Sequence, residues 1–492
     1  MFNLSVYLIN KLKTLYMKTL TALKRFSASL LVVFFVASCN SDDDNNVNTP
    51  TPQANNIVDL AIATPELSSL VAALQAADGN LDTVLKSNGP FTVLAPTNAA
   101  FSAFLSANGF ASLSDVPTDV LSQILLNHVI SGSVPASALV GQGSGYAKTN
   151  ATGVGGASMS LFFNTANNDV RFNNVASVST ADISASNGII HIVDGVIGLP
   201  DVVDHALANP GFSNLVAALG AADGGLVAVL QGSGPFTVLA PNNDAFGTFL
   251  ADNNFSGLGD VPTDVLSQVL LNHVLAGATF STDLVDAGAG YTTTSATGAG
   301  GNPMSLYFNT NDGVKFNGVS TVAAADVVAT NGVIHAVDAV IGLPTVVDFA
   351  LADPTFTTLV AALTRSDLTF DFVGTLSTPN GTAPAPFTVF APTNDAFGAL
   401  LTELSLAGLA DIPEATLNAT LKMHAVAGAN VRSTALTDNM TIATLGGNIT
   451  ANVTGGATLT DANGRVSNII AVDVQASNGV IHAINKVVLP PL

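Results

Sequence analysis

Cysteine is almost absent from this 492-residue chain, and tryptophan is absent altogether. Because Cys39 is the only cysteine, no disulfide can form within one chain. Basic residues are also scarce: Lys and Arg total 14 against 35 Asp and Glu, which gives a formal net charge of −21. So acidic a surface repels phosphate backbones and anionic lipid headgroups. We therefore expect no nucleic-acid binding, and any membrane attachment must come from another source.

Long hydrophobic runs are missing as well. The apolar run Leu30–Val36 is too short to span a bilayer, and it follows a basic stretch and ends in Ala37-Ser38-Cys39. This pattern resembles a bacterial lipoprotein signal peptide, in which the cysteine becomes the lipidated first residue. The resemblance implies a signal peptide over residues 1–38 and lipid attachment at Cys39. Met1 and Met17 both stay open as the translation start.

The stretch after Cys39 is acidic and then rich in Thr, Pro and Asn as far as residue 56. It is too polar to fold and is predicted to be a flexible tether over residues 39–56. An acidic run at this place resembles the surface-export signal of Bacteroidetes lipoproteins, which implies an outer-membrane lipoprotein exposed on the cell surface. A solvated acidic linker on a periplasm-facing protein remains the alternative.

Two phrases occur three times each in the rest of the chain. The first is Pro-Phe-Thr-Val-(Leu/Phe)-Ala-Pro, beginning at Pro90, Pro235 and Pro386, and the second is Asn-Gly-(Ile/Val)-Ile-His, ending at His191, His335 and His482. Copies lie about 145 residues apart, far more than in solenoid repeats, so each copy can be a complete domain. With 48% hydrophobic residues, each unit can bury its own core. We predict three domains at 57–200, 201–344 and 345–492.

Each unit reads as a mixture of helices and strands. Helices are expected after the caps Thr64, Asn209 and Asp353, each followed by proline, and again after Thr97, Asn242 and Thr393. A third helix is expected to run from Pro117, Pro262 or Pro413 to a histidine. The two repeated phrases and the alternating Gly, Thr and Val-rich stretches read as strands. The fold class is therefore α/β or α+β.

Six of the seven histidines fall at the end of the third helix or in the closing phrase. They are His128, His191, His273, His335, His424 and His482. Each unit offers only two of them, with no second cysteine and no His-x-x-x-His spacing, so a metal site is not expected. We interpret them as hydrogen-bonded structural histidines. His205 stands alone and is expected to decorate a helix surface.

These residues together resemble fasciclin domains, over about Ile57 to Pro490. The resemblance rests on the two repeated phrases and on the helix-terminal histidine. It implies three tandem fasciclin domains, each a wedge of β-strands flanked by helices, in a protein of the kind that is secreted or surface-anchored and serves adhesion or the extracellular matrix.

The resemblance also implies contact residues. Adhesive residues in animal members include an Asp-Ile pair shortly before the closing phrase, and the matching positions are Asp182-Ile183, Asp326-Val327 and Asp473-Val474. A second, Tyr-His pair is not preserved, because Asn127, Asn272 and Met423 precede the helix-terminal histidines. That departure argues against integrin recognition of the animal type.

No catalytic pattern is present. There is no Gly-x-Ser-x-Gly elbow, and the glycine-rich stretches lack the Lys-Ser/Thr of a phosphate loop, so we expect neither an enzyme nor a cofactor. The expected function is non-catalytic adhesion to a cell-surface ligand, extracellular matrix or polysaccharide. The alternative is a glycan-binding accessory of a surface polysaccharide uptake system, which the absence of tryptophan disfavours because sugar platforms use large aromatic faces.

Overall fold

The computed structural model describes residues 55–165 and 169–491. The predicted signal peptide, Cys39 and the tether up to residue 54 lie outside the described residues. Asn55 and Asn56, at the predicted end of the tether, already bond domain 1. The Asn55 carbonyl accepts from the Ser186 amide at 2.9 Å, and Asn56 caps the first described helix.

Each of the three domains contains one seven-stranded mixed sheet with the same strand order, 2-1-7-6-5-4-3 when each domain is counted from its own first strand. In domain 1 the strands are β1 Phe91–Pro96, β2 Val129–Ser131, β3 Ser144–Thr152, β4 Ser158–Asn164, β5 Arg171–Phe172, β6 Ala176–Ala185 and β7 Gly188–Val193. In domain 2 they are β8 Phe236–Pro241, β9 Val274–Ala276, β10 Ala289–Thr297, β11 Pro303–Asn309, β12 Lys315–Phe316, β13 Ser320–Val328 and β14 Gly332–Val337. In domain 3 they are β15 Phe387–Pro392, β16 Ala425–Ala427, β17 Met440–Thr444, β18 Gly447–Asn452, β19 Thr458–Thr460, β20 Val466–Gln475 and β21 Gly479–Ile484.

Short helices flank each sheet. The α-helices of domain 1 are α1 Ile57–Ala63, α2 Ser68–Ala76, α3 Leu81–Lys86, α4 Asn98–Ala107, α5 Thr118–Asn127 and α6 Ala136–Gln142. Those of domain 2 are α7 Val202–Ala208, α8 Ser213–Ala221, α9 Leu226–Leu230, α10 Asn243–Asp252, α11 Thr263–Leu271 and α12 Ser281–Ala287. Those of domain 3 are α13 Val346–Ala352, α14 Thr357–Leu363, α15 Phe372–Leu376, α16 Asn394–Glu403 and α17 Glu414–Lys422. The predicted α+β class is therefore confirmed.

The two repeated phrases are neighbours in space. Strands β1 and β7 run parallel in a register that places Leu94 opposite His191, and the same pairing recurs in the other two domains. Both strands lie inside the sheet, and parallel strands covered on both faces need a nearly continuous apolar sequence. The two phrases therefore occur together in every domain because they form neighbouring strands of the same sheet.

The asparagine of the closing phrase ties the strand to two helices. In domain 1 the Asn187 side chain accepts from the Ile57 amide at 3.0 Å and donates to the carbonyls of Leu85 and Ser87 at 2.7 and 2.8 Å. Asn331 and Asn478 make the same three bonds in their own domains. This asparagine thus anchors the closing strand to the helices of its own domain.

Five of the six predicted helix caps hold. Thr97, Asn242 and Thr393 each accept from the amide three residues later, as expected. Asn209 and Asp353 also cap through their side chains, but Thr64 makes no cap bond. A short helix before each of Thr64, Asn209 and Asp353 was not expected. Each of these helices has seven residues, which are too few to show a clear periodicity.

Each domain has two hydrophobic clusters, one on each face of its sheet. In domain 1, Val93 belongs to the cluster under the helices and Leu94 to the cluster under the β3–β4 hairpin. Successive strand residues point to opposite faces, which is why one short strand serves both cores. Each domain thus has its own core, and Tyr307 of domain 2 also belongs to the helix-side core of domain 3.

Consecutive domains pack through a repeated joint. The tip of the domain 1 hairpin, residues 153–157 between β3 and β4, reaches the end of β13 in domain 2. There the Val154 amide donates to the Ala329 carbonyl at 2.9 Å, and the Val328 amide donates to Ser160 Oγ at 2.9 Å.

The joint between domains 2 and 3 repeats this arrangement with the tip of domain 2, residues 298–302. The Ala299 amide donates to the Ala476 carbonyl at 3.1 Å, and the Gln475 amide donates to Ser305 Oγ at 2.9 Å. Each joint thus couples a tip and a serine of one domain to the corresponding strand end of the next.

No single helix among the described residues has the length and apolar character needed to cross a membrane. Two sharply bent helix pairs, residues 57–76 and 346–363, satisfy length and composition only when each pair is taken together. Their apolar residues, such as Leu70 and Leu359, belong to the domain cores.

Candidate functional site

The three Asp-apolar pairs lie at equivalent places, near the end of the sixth strand of each domain. Asp182, Asp326 and Asp473 have φ of 59°, 59° and 61°, in the left-handed region. Each lies within a register shift of its strand, so the local ladder is interrupted there. A bulge with left-handed backbone re-aims a side chain, and here it turns the carboxylate away from the sheet.

The apolar member of each pair points into its own domain. Val327 is 3% exposed and Val474 is 7% exposed, and both belong to hydrophobic cores. Ile183 is partly buried and packs against the core of domain 1. In the described conformation, a ligand reaches the aspartate more readily than its neighbour, and the contact role of all three pairs stays a prediction.

The carboxylates hold the next segment of chain in place. Asp182 Oδ1 accepts from the Ala136 amide at 2.9 Å, and Asp326 and Asp473 accept from the Ser281 and Ser433 amides at 2.9 and 2.8 Å. In the latter two the serine hydroxyl also donates to the second carboxylate oxygen. Domain 1 has alanine at that position, and Asp182 is the exposed one of the three.

Asp473 is the most strongly held of these carboxylates. Burial alone would raise its pKa, but hydrogen bonds from Ser433 and the nearby Arg432 guanidinium outweigh burial and lower the pKa. Arg432 Nη2 lies 3.3 Å from Asp473 Oδ2. This aspartate is therefore ionised and already paired.

The closing-phrase histidines lie directly beneath these aspartates. Nδ1 of His191, His335 and His482 accepts from the amide of the aspartate at 3.2, 3.3 and 3.3 Å. Since Nδ1 accepts, Nε2 carries the proton, and it lies 2.9 Å from a backbone carbonyl in each domain. Burial lowers the pKa of His335 and His482, against the opposing effect of their hydrogen bonds and of the nearby aspartates.

The helix-terminal histidines have the opposite tautomer. In domain 1, Nδ1 of His128 donates to the Ile124 carbonyl at 2.7 Å and Nε2 accepts from the Ile197 amide at 3.0 Å. His273 and His424 repeat this pattern. Burial lowers the pKa of all three to about 4. All six imidazoles are thus occupied at both nitrogens, which is the bonding that the predicted structural role requires.

Clusters of metal-ligand side chains do not occur in the described part of the chain. No group of three or more His, Cys, Asp or Glu residues there could hold a metal ion. The six repeated imidazoles bond backbone groups through both ring nitrogens, whereas Nδ1 of the buried His205 has no hydrogen-bond partner among the described residues.

The expectation for His205 was wrong. His205 is fully buried, and its ring lies 5.8 Å from that of Tyr146 across the joint between domains 1 and 2. His205 does not lie on an exposed helix surface, because domain 1 covers the face of α7 that carries it. A single sequence carries no sign of this, since the residue that covers His205 lies 59 positions away in another domain.

The joints also cover part of the Asp-bearing segments. Lys148 Nζ, from domain 1, donates to the Asp326 carbonyl at 2.6 Å. At the next joint, Arg432 beside Asp473 donates to Asn302 Oδ1 of domain 2 at 2.8 Å. The pairs of domains 2 and 3 therefore lie at joints, whereas Asp182 does not.

Each joint also forms a groove that no single domain contains. The groove between domains 2 and 3 encloses about 750 Å³ and exposes Val319 and Leu351, which are 60% and 62% accessible. The groove between domains 1 and 2, of about 350 Å³, exposes Val175 and Leu207 at 52% and 56%. Exposed apolar residues thus recur at the same place in both joints. No pattern described in the sequence predicted their exposure.

Comparison with known proteins gives relatives over nearly the whole described array. The chain is 28% identical over 461 residues to transforming growth factor-beta-induced protein ig-h3 of Oryctolagus cuniculus. The aligned residues cover 91% of this chain and 59% of that protein. Protein sll1483 of Synechocystis sp. is 38% identical over 147 residues, which cover 30% of this chain and 75% of the relative. The chain therefore spans 59% of the length of ig-h3.

A solved structure is also similar, a domain pair from the insect cell adhesion molecule fasciclin I. It shares 19% identity with a TM-score of 0.36 and covers 56% of this chain and 96% of its own. The Fasciclin domain family matches residues 65–200, 210–344 and 354–490. The chain therefore belongs to the fasciclin domain family, and its described residues form three tandem fasciclin domains.

Proposed function

We propose that this chain is a non-catalytic, lipid-anchored envelope protein that adheres to a cell surface, extracellular matrix or polysaccharide. The observation that carries the proposal is the array itself: three fasciclin domains in tandem, held by two packed joints. The array presents similar surfaces at regular intervals, including the two joint grooves. Such a protein binds a repetitive surface with an avidity about 100-fold or more above that of one module.

Asp182 is the contact residue that the geometry favours. It is exposed, its carboxylate bonds only the Ala136 amide among the described residues, and no neighbouring domain shields it there. Asp326 and Asp473 each hold a serine hydroxyl as well and sit beside a joint. We therefore expect domain 1 to contribute most to adhesion.

The test is replacement of aspartate by asparagine, which keeps the acceptor for the backbone amide but removes the charge. Asp182→Asn should reduce attachment to cells or immobilised polysaccharide, and the triple variant with Asp326→Asn and Asp473→Asn should reduce it further. Asp119→Asn, another exposed aspartate of domain 1, is the matched control. Full attachment by the triple variant, with an unchanged circular dichroism spectrum, would remove these pairs from the binding site.

A glycan array probed with the purified chain separates adhesion from the accessory role in polysaccharide uptake. Adhesion predicts binding to whole cells or matrix proteins, whereas uptake predicts a defined set of oligosaccharides. Selective binding to one oligosaccharide family would favour the accessory role.

Anchoring and exposure are tested in cells. Cys39→Ser should release the chain from the membrane fraction, because Cys39 is the proposed lipid attachment residue. Protease added to intact cells should cleave the wild-type chain if it faces outward, and resistance to protease that disappears on permeabilisation would place it in the periplasm.

A further inference from the structure

Each joint requires a glycine at the tip of the donor hairpin. A Cβ on Gly153 would lie 2.6 Å from Val328 Cγ1 and 2.8 Å from the Ala329 carbonyl oxygen. A Cβ on Gly298 would overlap the Ala476 carbonyl oxygen. Only glycine lets the tip approach the neighbouring backbone so closely. The donor half of a joint is therefore a glycine-tipped hairpin, and the acceptor half is the face that it covers.

The acceptor face is formed by equivalent residues in all three domains. In domain 2, His205, Ala208, Val328 and Ala329 are between 0% and 2% exposed beneath the preceding domain. In domain 3, the matching residues Phe349, Ala352, Gln475 and Ala476 are between 0% and 9% exposed. These positions are thus buried where a preceding domain packs on them.

Domain 1 has the same face, and no hairpin of the described residues packs on it. At the matching positions Ala63 and Ser184 are exposed, and Leu60 and Ala185 are only partly buried. Three of these four residues are apolar, as an acceptor requires. The backbone beside them follows the same course, because the Ser186 amide bonds the Asn55 carbonyl just as the Thr330 amide bonds that of Pro200.

Among the described residues, a second copy of this chain has no free glycine-tipped hairpin to offer this face. The tips of domains 1 and 2 are already inside its own joints. In domain 3, β17 and β18 are joined by Leu445 and Gly446 alone, in place of the five residues 153–157 or 298–302 of the longer hairpins. That turn is held against its own domain, since the Leu445 and Gly446 amides donate to the carbonyls of Ala425 and Lys422.

We propose that the acceptor face of domain 1, formed by Leu60, Ala63, Ser184 and Ala185, docks the glycine-tipped hairpin of a fasciclin domain in another polypeptide. The two joints within the chain define the occupant: a hairpin with glycine at its tip, a serine that bonds the strand-end amide, and a tyrosine that packs on the first helix. A hairpin of one copy that docked on the acceptor face of the next copy would join the chains head to tail. The hairpin of domain 3 is too short to make this contact. This inference goes beyond the proposed adhesion, because it depends on joint geometry alone.

The first experiment gives the chain a free tip. In the full chain, residues 289–309 replace residues 440–452, so that domain 3 carries the hairpin of domain 2. We expect the graft to form concentration-dependent oligomers in analytical ultracentrifugation while the unaltered chain stays monomeric. Adding Ala185→Arg to the graft should restore the monomer, and Arg at the exposed Ala181 is the matched control. A folded graft that stays monomeric overturns the proposal.

The second experiment needs no grafted hairpin. In a Cys39→Ser background, Ser184→Cys and Val328→Cys report by their rate of thiol labelling whether each acceptor face is open. We expect Ser184→Cys to label at least 10-fold faster, because its face is open and that of domain 2 is covered. Equal protection of both positions in the monomer would show that the chain covers its own first face, and it would overturn the proposal even if the graft does not fold.

Discussion

Mild acid should destabilise each domain through the buried histidine that follows α5, α11 or α17, and domain 2 also through the buried His205. His128, His273 and His424 are at most 3% exposed, and burial lowers the pKa of each from 6.5 to about 4. Below pH 6.5 the folded chain therefore binds fewer protons than the unfolded chain. The stability contributed by each neutral histidine is complete above pH 6.5 and is lost as the pH falls toward 4.

The size of the loss follows from the pKa difference. At about 1.4 kcal/mol for each tenfold change in equilibrium constant, the difference between 6.5 and 4 corresponds to about 3 kcal/mol for each of these three histidines. About 2 kcal/mol of this should be lost between pH 7 and pH 5. That window lies above the ordinary pKa of Asp and Glu, so the histidines dominate it.

The assay is urea unfolding at pH 7 and pH 5, for the unaltered chain and for His273→Gln. Glutamine keeps a donor for the Val269 carbonyl and an acceptor for the Ile341 amide, but it does not titrate. The variant should be less stable at pH 7, and its domain 2 should lose about 2 kcal/mol less on acidification than that of the unaltered chain. Titration of the His273 imidazole near pH 6.5 in the native chain, or equal stability at the two pH values, would refute the reasoning.

Three further predictions concern the joints and the repeated phrases. Gly298→Ala should weaken the joint between domains 2 and 3 by about 1–3 kcal/mol, because the added Cβ would overlap the backbone of domain 3. Small-angle scattering should then show a more extended chain. As the control, Gly259→Ala places its Cβ in open space and should leave the scattering profile unchanged. Burial raises the pKa of Tyr146 to about 12, so ultraviolet titration should find this tyrosine ionising near pH 12, and ionisation near pH 10 would mean that the joint is open in solution. Asn331→Ala removes three hydrogen bonds and should lower the free energy of unfolding by about 3 kcal/mol, measured by thermal or urea unfolding. As the control, Asn311→Ala at an exposed position should change this free energy by no more than about 0.5 kcal/mol. Equal effects of the two substitutions would show that the Asn331 anchor is not needed.

The repeated phrases predicted the domains well because their physics is local. A β-branched and aromatic run ending at proline, such as Phe91–Pro96, forms a buried strand in any context that covers both faces. The cap residues Thr97, Asn242 and Thr393 act on amides three positions away, so their effect can be read from neighbouring letters. The helix before Thr64 was missed because seven residues carry too little periodicity.

The candidate site was only half visible in the sequence. Alternation along a strand predicts that one member of an Asp-apolar pair points outward and the other inward, and Val327 and Val474 are indeed core residues. The sequence could not show that Asp326 lies at a joint and Asp182 does not, because the residues that cover a joint come from the preceding domain. Gly153 and Gly298 were signals that could have been used, since each begins a five-residue hairpin loop that domain 3 replaces with two residues.

Three fasciclin domains, their two repeated phrases and the acidic charge balance can be read from the letters alone, because they depend on composition and on contacts within each unit. Which faces are open depends instead on how one domain packs against the next. Burial at His205, Val328 and Ala476 depends on residues of a neighbouring domain, and the same strand end is covered in domains 2 and 3 but exposed in domain 1. Exposure is a property of what packs against a residue, and near-identical segments acquire different roles when their neighbours differ.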